Sequence, residues 1–193
     1  MRIIEPLAIH VWRIPISGAF DVHSLDRLEQ ERAARFHRDE DRLRYTASHA
    51  AVRAILGSYL GVEGSSLSFG ASPDGKPRLA AGGALRFNLA HSGDLALLAV
   101  AHGLEVGVDV ERHQPVEHLE LARRFFSAGE VAAIRAASAQ DLAFFRCWSR
   151  KEAFVKACGQ GLSLPLNSFE VTVDDAARVR LSSRPPAPAA EEW

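Results

Sequence analysis

The chain centres on the sequence Gly107-Val108-Asp109-Val110-Glu111-Arg112, in which valines alternate with small or acidic residues. This alternation predicts a strand whose carboxylates, Asp109 and Glu111, emerge side by side, because successive strand side chains point to opposite faces. Carboxylates this close repel each other unless a cation lies between them, and oxygen ligands suit a hard divalent cation. The alternative is a half-buried edge strand with a solvated acidic face. The strand alone leaves both interpretations open.

The composition predicts a globular protein whose partners are not selected by bulk charge. Of the 193 residues, 47% are hydrophobic, and Lys+Arg 23 against Asp+Glu 24 gives no basic excess for nucleic acid. The chain shows neither an apolar run of about 18 residues nor a signal-peptide core, so we expect a cytoplasmic protein without a membrane partner. Cys147 and Cys158 lie about 16 Å apart along one predicted helix, too far for a disulfide, and we expect reduced core residues.

The first half predicts a strand, two helices and a hairpin. The strand covers residues 7–16, the helices residues 24–37 and 39–59, and the hairpin strands residues 86–89 and 95–101. The turn at residues 72–77 should present Lys76 at its tip, as a candidate phosphate contact. The loop at residues 90–94 should expose His91, although a lone histidine is usually an ordinary surface residue.

The predicted helices of the first half are rich in arginine. Arg32 and Arg44 belong to a series of basic residues in which acidic residues are interleaved. This pattern fits a solvated helix surface as well as it fits an anion site, so the residues alone do not choose between the two.

The second half predicts three helices and a final hairpin. A helix over residues 116–126 is followed by a capping box, in which Ser127 and Glu130 satisfy the first amides of a helix over residues 131–137. The next helix, residues 141–157, ends at Gly159. On this helix Glu152 shares a face with Trp148 and Lys156, each one turn away, and a carboxylate there needs a nearby cation.

The two halves resemble each other in plan. Each contains a helix with a similarly placed serine (Ser48, Ser149) that ends in glycine-rich sequence and leads to a Ser-Phe strand start. We therefore predict an α+β fold of two similar, pseudo-duplicated lobes, each with helices packed on a small, mostly antiparallel sheet. The active site would lie in the cleft between them. The predicted lobes are residues 1–102 and 103–183, with a strand pair near residues 169–181 and an irregular tail over residues 184–193.

Six motifs follow one another in a characteristic order. They are Gly75-Lys76-Pro77, Phe87-Asn88-Leu89-Ala90-His91-Ser92, Gly107-Val108-Asp109-Val110-Glu111, Arg124-Phe125-Phe126-Ser127, Trp148-Ser149-Arg150-Lys151-Glu152-Ala153-Phe154-Val155-Lys156 and Gly161-Leu162-Ser163-Leu164-Pro165-Leu166. With these motifs, residues 20–173 resemble a 4′-phosphopantetheinyl transferase of the Sfp type, the class that activates surfactin synthetase. The family's fold has two similar α+β lobes with the active site in the cleft between them.

The resemblance implies a Mg²⁺-dependent transferase. Its reaction moves the 4′-phosphopantetheine arm of coenzyme A onto a serine of an acyl or peptidyl carrier protein and releases adenosine 3′,5′-bisphosphate. We expect a monomer, because two internal lobes already build the cleft. The alternative is an inactive relative that binds coenzyme A or a carrier protein without catalysis.

The resemblance also implies roles for individual residues. Asp109, Glu111 and Glu152 would be the metal ligands, and Glu152 would also receive the serine proton. Lys156 would hold phosphate oxygens, as both a catalytic and a coenzyme A-binding residue. The remaining coenzyme A contacts would be Lys76, His91, Arg44 and Arg32.

Three features depart from the family's pattern. Glu29 occupies a position where close relatives often have a basic residue, and Ala90 one where many have a serine. Both departures concern the details of nucleotide binding. Family members usually continue beyond a tryptophan-containing segment into another strand, whereas this sequence ends at Trp193, and we expect residues 184–193 to be dispensable for coenzyme A binding.

Overall fold

The protein has an α+β fold, as predicted. The computed structural model describes residues 2–16, 22–73, 75–174 and 180–183. The chain divides into two compact units, unit 1 over Met1–Val110 and unit 2 over Glu111–Trp193. The boundary predicted from the sequence, after residue 102, is earlier. The later division follows from the burial of Val106 and Val108 in a cluster with Ala90, Ala99 and Ala101 of unit 1.

Within its described residues, unit 1 contains two antiparallel sheets. Its strands are β1 (Ile9–Pro15), β2 (Phe69–Ala71), β3 (Pro77–Leu79), β4 (Leu85–Ser92) and β5 (Leu95–His102). One sheet has the order β1-β5-β4, and β2 pairs with β3. The predicted exposed loop over residues 90–94 is wrong in part, because Ala90, His91 and Ser92 continue β4 in register with β5. Only a tight turn containing Gly93, with φ of 58°, remains between the strands.

Two helices of unit 1 lie near their predicted positions. They are α1 (Arg27–Ala34) and α2 (Asp39–Leu60). Helix α1 begins with a capping box between Asp26 and Glu29, and α2 ends at Gly61, which is left-handed with φ of 70°. Apolar residues of α2 and of the larger sheet, such as Leu56, Leu98 and Phe87, form one buried core.

The strand predicted from the alternation in residues 107–112 is wrong. Within this fully described stretch the backbone joins no strand ladder. The alternation of side chains is nevertheless present, because Val106 and Val108 are buried whereas Asp109 is only partly buried. We call residues 105–110 the acidic segment. It packs against β4 and β5 through the side chains of Val106 and Val108 and belongs to no strand ladder.

The described part of unit 2 contains three α-helices and a two-stranded antiparallel sheet. The helices are α3 (His118–Phe125), α4 (Ala128–Ala136) and α5 (Gln140–Cys158), and the strands are β6 (Phe169–Val171) and β7 (Leu181–Ser183). The predicted capping box of Ser127 and Glu130 is confirmed, and Gly159 ends α5 with φ of 74°. Ile134, Phe144 and Phe169 belong to a core of this unit.

Two further predictions concern the C-terminal tail and the two cysteines. The irregular tail over residues 184–193 lies outside the described residues. Cys147 and Cys158 both have free thiols, as predicted, and Cys147 is buried. None of the helices in the described ranges is both long and apolar enough to cross a membrane.

Candidate active site

Asp109 is held in place through its neighbours in the acidic segment. The backbone N–H of Val108 donates a buried hydrogen bond to Oδ1 of Asn88 at 2.9 Å. Val106 and Val108 pack against Ala90, Ala99 and Ala101. Because the valines on either side of Gly107 are buried, the position of Asp109 along the segment is fixed although no ladder pairs it. Glu111 follows two residues later and is also partly buried.

Glu105, at the start of the acidic segment, is surrounded by cations. Its carboxylate oxygens lie 2.9 Å from Lys76 Nζ, 2.8 Å from Arg78 Nη2 and 3.0 Å from Arg86 Nε. Burial alone would raise the pKa of Glu105, but the hydrogen bonds from Lys76 and Arg78 outweigh it and lower this pKa below its ordinary value. The expectation that Lys76 is presented at a turn tip is therefore wrong. Its side chain is only 6% exposed because it reaches back to Glu105.

Helix α5 carries Glu152 and Lys156, and both side chains are partly buried. The helix is continuous across both residues, so they lie one turn apart as predicted. Trp148, one turn before Glu152, packs with its ring centroid 5.8 Å from that of Phe144 and 5.9 Å from that of Phe126. This aromatic packing fixes one side of the helix that bears the predicted catalytic pair.

Lys151, to which the sequence motifs give no separate role, lies on the same side of α5 as Trp148, with its Nζ 5.6 Å from the centroid of the Phe126 ring. Its side chain is fully buried, with Nζ 2.8 Å from Glu130 Oε1. The same Nζ donates to the carbonyl oxygens of Leu166 at 2.7 Å and Phe169 at 2.6 Å. All three donors of the ammonium group therefore have acceptors. Lys151, directly before Glu152, therefore makes its hydrogen bonds in the interior of unit 2.

Glu130 does more than the predicted capping. Its Oε2 accepts from the Ser127 N–H at 3.0 Å, while Oε1 accepts from the Val171 N–H at 2.8 Å in addition to Lys151. The carboxylate thus joins α4, α5 and β6. Sequence spacing reveals the capping box because it is local, but it carries no information about contacts with residues 21 and 41 positions away in the chain.

The two arginines predicted to contact coenzyme A lie on the helices of unit 1, Arg32 on α1 and Arg44 on α2. Arg44 donates to Asp94 Oδ1 at 3.0 Å and lies 3.6 Å from Glu40 and Asp41, and its hydrogen bond with Asp94 raises its pKa. The guanidinium carbon of Arg32 lies 5.6 Å from the centroid of the Tyr45 ring, a cation–π contact. Their roles toward coenzyme A stay predictions.

Glu29, the first of the departures from the expected family pattern, belongs to a buried network. The fully buried Arg53 pairs with both Glu29 and Asp26, and His49 Nδ1 lies 2.8 Å from Glu29 Oε1. Burial alone would raise the pKa of Glu29, but the hydrogen bonds from His49 and Arg53 lower it. The carboxylate is therefore an internal partner of Arg53.

A cavity of about 470 Å³ lies beside this network in unit 1. Its lining includes Glu29, Arg32, Tyr45, His49, Phe69 and Phe87. It combines aromatic rings with the guanidinium group of Arg32 and the carboxylate of Glu29, a lining that suits a planar ligand with polar groups.

His91 and Ala90 lie at the end of β4 that faces the turn. The His91 side chain is exposed, as predicted, although it belongs to a strand and not to a loop. Ala90 is buried and packs against Val106 and Val108. A methyl group at this position therefore fills part of the contact between β4 and the acidic segment.

The predicted metal ligands supply suitable atoms, but their assembly stays a prediction. Carboxylate oxygens are the donors that Mg²⁺ prefers. In the part of the chain that the structure describes, no group of three or more His, Cys, Asp or Glu side chains is arranged as a metal-binding cluster. Asp109 belongs to unit 1, whereas Glu111 and Glu152 belong to unit 2.

Two family models together cover most of the chain. Residues 14–103 match a model described as 4′-phosphopantetheinyl transferase, N-terminal, and residues 105–192 match the 4′-phosphopantetheinyl transferase superfamily. The chain belongs to the 4′-phosphopantetheinyl transferase superfamily.

Individual relatives agree with this assignment. The chain is 38% identical over 188 residues to the 4′-phosphopantetheinyl transferase HetI of Nostoc sp., covering 92% of this chain and 79% of that protein. It is 34% identical to a 4′-phosphopantetheinyl transferase of Bacillus subtilis, and 32% identical to the 4′-phosphopantetheinyl transferase Sfp of Bacillus subtilis strain 168. Each of these two matches covers 79% of this chain and 68% of the relative. The resemblance to the Sfp type is confirmed.

Proposed function

We propose that this protein transfers the 4′-phosphopantetheine group of coenzyme A to a serine hydroxyl of an acyl or peptidyl carrier protein. The observation that carries the proposal is the pair Glu152 and Lys156, one turn apart on a helix that Lys151 anchors internally. A carboxylate beside an ammonium group provides a proton acceptor next to a phosphate ligand. Membership in the transferase superfamily supports the same reaction.

The bond changes assign a task to each side chain. The serine oxygen forms a bond to the phosphorus next to the pantetheine arm, and the bond from that phosphorus to adenosine 3′,5′-bisphosphate breaks. Because a serine hydroxyl is a weak nucleophile, Glu152 receives its proton. Lys156 holds the oxygens of the phosphate under attack, where negative charge is concentrated.

The other cationic residues bind the nucleotide end of coenzyme A. Arg32 lines the cavity of unit 1, and we assign Arg44, His91 and Lys76 to the phosphate groups. Lys76 Nζ would keep its bond to Glu105 or exchange it for a phosphate oxygen. These assignments rest on the family pattern and on the positive charge of the groups.

Asp109, Glu111 and Glu152 are the residues that we propose hold Mg²⁺. Their carboxylates match the hard oxygen donors that this ion requires. When bound, Mg²⁺ neutralises part of the diphosphate charge. The acidic segment contributes by keeping the Asp109 carboxylate out of the apolar cluster that buries Val106 and Val108.

The direct test is an assay with purified protein, coenzyme A, Mg²⁺ and an apo carrier protein. Transfer adds the mass of one phosphopantetheine group to the carrier, which mass spectrometry detects. A carrier with its acceptor serine replaced by alanine should gain no mass. If no carrier in a panel from fatty-acid, polyketide and peptide synthases gains mass while coenzyme A binds, the protein is a binding relative and the proposal is wrong.

We also propose that the protein acts as a monomer in the cytoplasm. Both halves of the family pattern are present in one chain, so no second copy is needed to complete it. Sedimentation equilibrium should give the mass of one chain at micromolar concentration. An obligate trimer would contradict this part of the proposal.

A further inference from the structure

We propose that Asn88 and Glu105 are positioning residues that fix the register of the acidic segment and thereby direct Asp109. This inference rests on the proposed function only in taking Asp109 as a metal ligand. Neither residue would contact the metal itself, although Asn88 also lines the cavity of unit 1. Both would act through the backbone that carries the Asp109 carboxylate.

The acidic segment needs such residues because its backbone joins no ladder within the described chain. In a sheet, backbone hydrogen bonds determine which residues lie opposite each other. Here that task passes to the outer face of β4, which we define by Arg86, Asn88 and Ala90. These residues alternate with Phe87 and Leu89, which face the main core of unit 1.

Each residue of the outer face of β4 holds a different point of the acidic segment. Arg86 Nε donates to Glu105 at 3.0 Å, and Asn88 Oδ1 accepts from the Val108 N–H at 2.9 Å. Ala90 packs in the cluster that contains Val106 and Val108. Three successive side chains of one strand face therefore contact the segment along its length.

The hydrogen bond from the Val108 N–H to Asn88 Oδ1 fixes the register because both partners are buried. Asn88 is 8% exposed and Val108 9% exposed. A buried backbone N–H without an acceptor is costly, and Asn88 supplies that acceptor from a strand that is itself held by β5. The amide thus selects Val108, and not its neighbour Gly107 or Asp109, as the residue opposite.

Glu105 provides a second fixed point, three residues before Val108. Arg78 on β3, Arg86 on β4 and Lys76 before β3 all lie within 3.0 Å of its carboxylate. A carboxylate held by cations from two strands, β3 with its preceding residue and β4, cannot shift along β4 without losing several contacts at once. Two fixed points determine both the position and the direction of the chain between them.

A shift by one residue shows what the two points prevent. Because side chains alternate, such a shift would move Val106 and Val108 into solvent and place the Asp109 carboxylate against the alanines of β4 and β5. Burying an unpaired carboxylate in an apolar cluster is strongly unfavourable. The register that Asn88 and Glu105 select is therefore the one that keeps Asp109 available to a cation.

The test compares Asn88→Ala with the wild-type protein by two measurements that need no catalysis. Hydrogen exchange read by mass spectrometry should show faster exchange in peptides covering residues 104–110, with the strand peptides of β4 and β5 unchanged. The dissociation constant for Mn²⁺, measured from the electron paramagnetic resonance signal of the free ion with coenzyme A present, should rise about 10-fold, as for other residues that orient metal ligands.

Three further variants separate positioning from general loss of stability. Asn88→Asp keeps an oxygen acceptor at the same place and should restore slow exchange at Val108. Val100→Ala removes a fully buried side chain of the main core of unit 1 and should leave Mn²⁺ affinity within about twofold of wild type. Glu105→Gln should also weaken Mn²⁺ binding. If Asn88→Ala does not fold, the Mn²⁺ affinity of Glu105→Gln tests the positioning role instead.

The outcomes distinguish this inference from the proposed function. Unchanged Mn²⁺ affinity or unchanged exchange of residues 104–110 in Asn88→Ala would overturn the inference, as would a wild-type protein that binds no Mn²⁺. If Asn88→Ala behaves as expected but the wild-type protein modifies no carrier protein, the proposed transfer fails and the positioning role stands.

Discussion

The ammonium group of Lys151 lies 2.8 Å from the Glu130 carboxylate, and the two side chains are 0% and 3% exposed. Around them, backbone groups of Ser127, Val171, Leu166 and Phe169 complete the hydrogen bonds. Burial lowers the pKa of Lys151, and the bond to Glu130 opposes that shift. The pair therefore ties α4, α5 and β6 together in the interior of unit 2.

Removing one member of this pair should be far more damaging than removing both. Lys151→Met leaves the Glu130 charge buried without its cation, and we expect a loss of about 3–5 kcal/mol in the free energy of unfolding. The double variant Lys151→Met with Glu130→Gln should recover part of that loss. Urea denaturation followed by circular dichroism measures both. Arg135→Met on the exposed side of α4 is the control and should change little. Equal losses in the single and double variants would contradict this prediction.

Replacing Glu29 by a basic residue should destabilise the protein. Glu29→Lys removes a carboxylate from the buried Arg53 and places a like charge beside it. We expect a loss of about 3 kcal/mol and no gain in coenzyme A affinity. Calorimetry provides both values. Glu31→Lys, on the same helix but in an exposed pair with Arg27, should cost less than about 1 kcal/mol. Tighter coenzyme A binding by Glu29→Lys would show that this position belongs to the nucleotide site.

The proposed proton acceptor can be separated from the proposed metal ligands. Glu152→Gln keeps the shape of the side chain but removes its charge, so transfer should fall by about 10² to 10⁴-fold. Asp109→Ala should lower transfer chiefly by weakening the metal, so higher Mg²⁺ should restore part of its activity but not that of Glu152→Gln. Carrier modification rates at increasing Mg²⁺ test this, with coenzyme A affinity as the control. Near-normal transfer by Glu152→Gln would leave this residue as a structural neighbour of Lys156.

Glu105 should contribute to stability in a pH-dependent way. Its pKa in the folded state lies below the ordinary value of 4.5, so its contribution is present above about pH 4.5 and is lost as the pH falls through the lower folded value. The difference in Tm between wild type and Glu105→Gln should therefore be largest near neutral pH and shrink in acid. Thermal denaturation across this range measures the difference. A difference that is constant with pH would mean that the three cations do not favour the charged form.

The two cysteines should differ in reactivity. Cys147 is fully buried, and burial raises the pKa of its thiol, whereas Cys158 is partly buried at the end of α5. Because the thiolate is the reactive form, iodoacetamide should modify Cys158 first in the folded protein. Peptide mass spectrometry identifies the modified residue, and Cys158→Ser should remain unmodified until denaturant is added. Equal modification of both residues would indicate that the core around Cys147 opens readily.

The features that could be predicted from the sequence are those that local chemistry determines. The capping box of Ser127 and Glu130 and the ends of α2 and α5 at Gly61 and Gly159 depend on residues within one turn of each other. The motif order identified the family, and through it the residues of the candidate site. The prediction that Glu152 and Lys156 share a helix face needed only the helix period.

The features that could not be predicted depend on distant partners. Lys76 was expected at a turn tip because its partner Glu105 lies 29 residues later. Residues 107–112 were expected to form a strand because their alternation is that of a strand, yet side chains and not backbone groups of β4 occupy the opposite positions. The structural role of Lys151 could not be predicted because its acceptors lie on other elements.

The attachment of the acidic segment through side chains has a consequence for how such a protein can evolve. A strand in a ladder shares its backbone hydrogen bonds with its neighbour, so moving one displaces both. Here we expect substitutions on the outer face of β4 to shift Asp109 while the β4–β5 ladder stays intact. The position of a proposed metal ligand can therefore change during evolution without loss of the stability of the sheet.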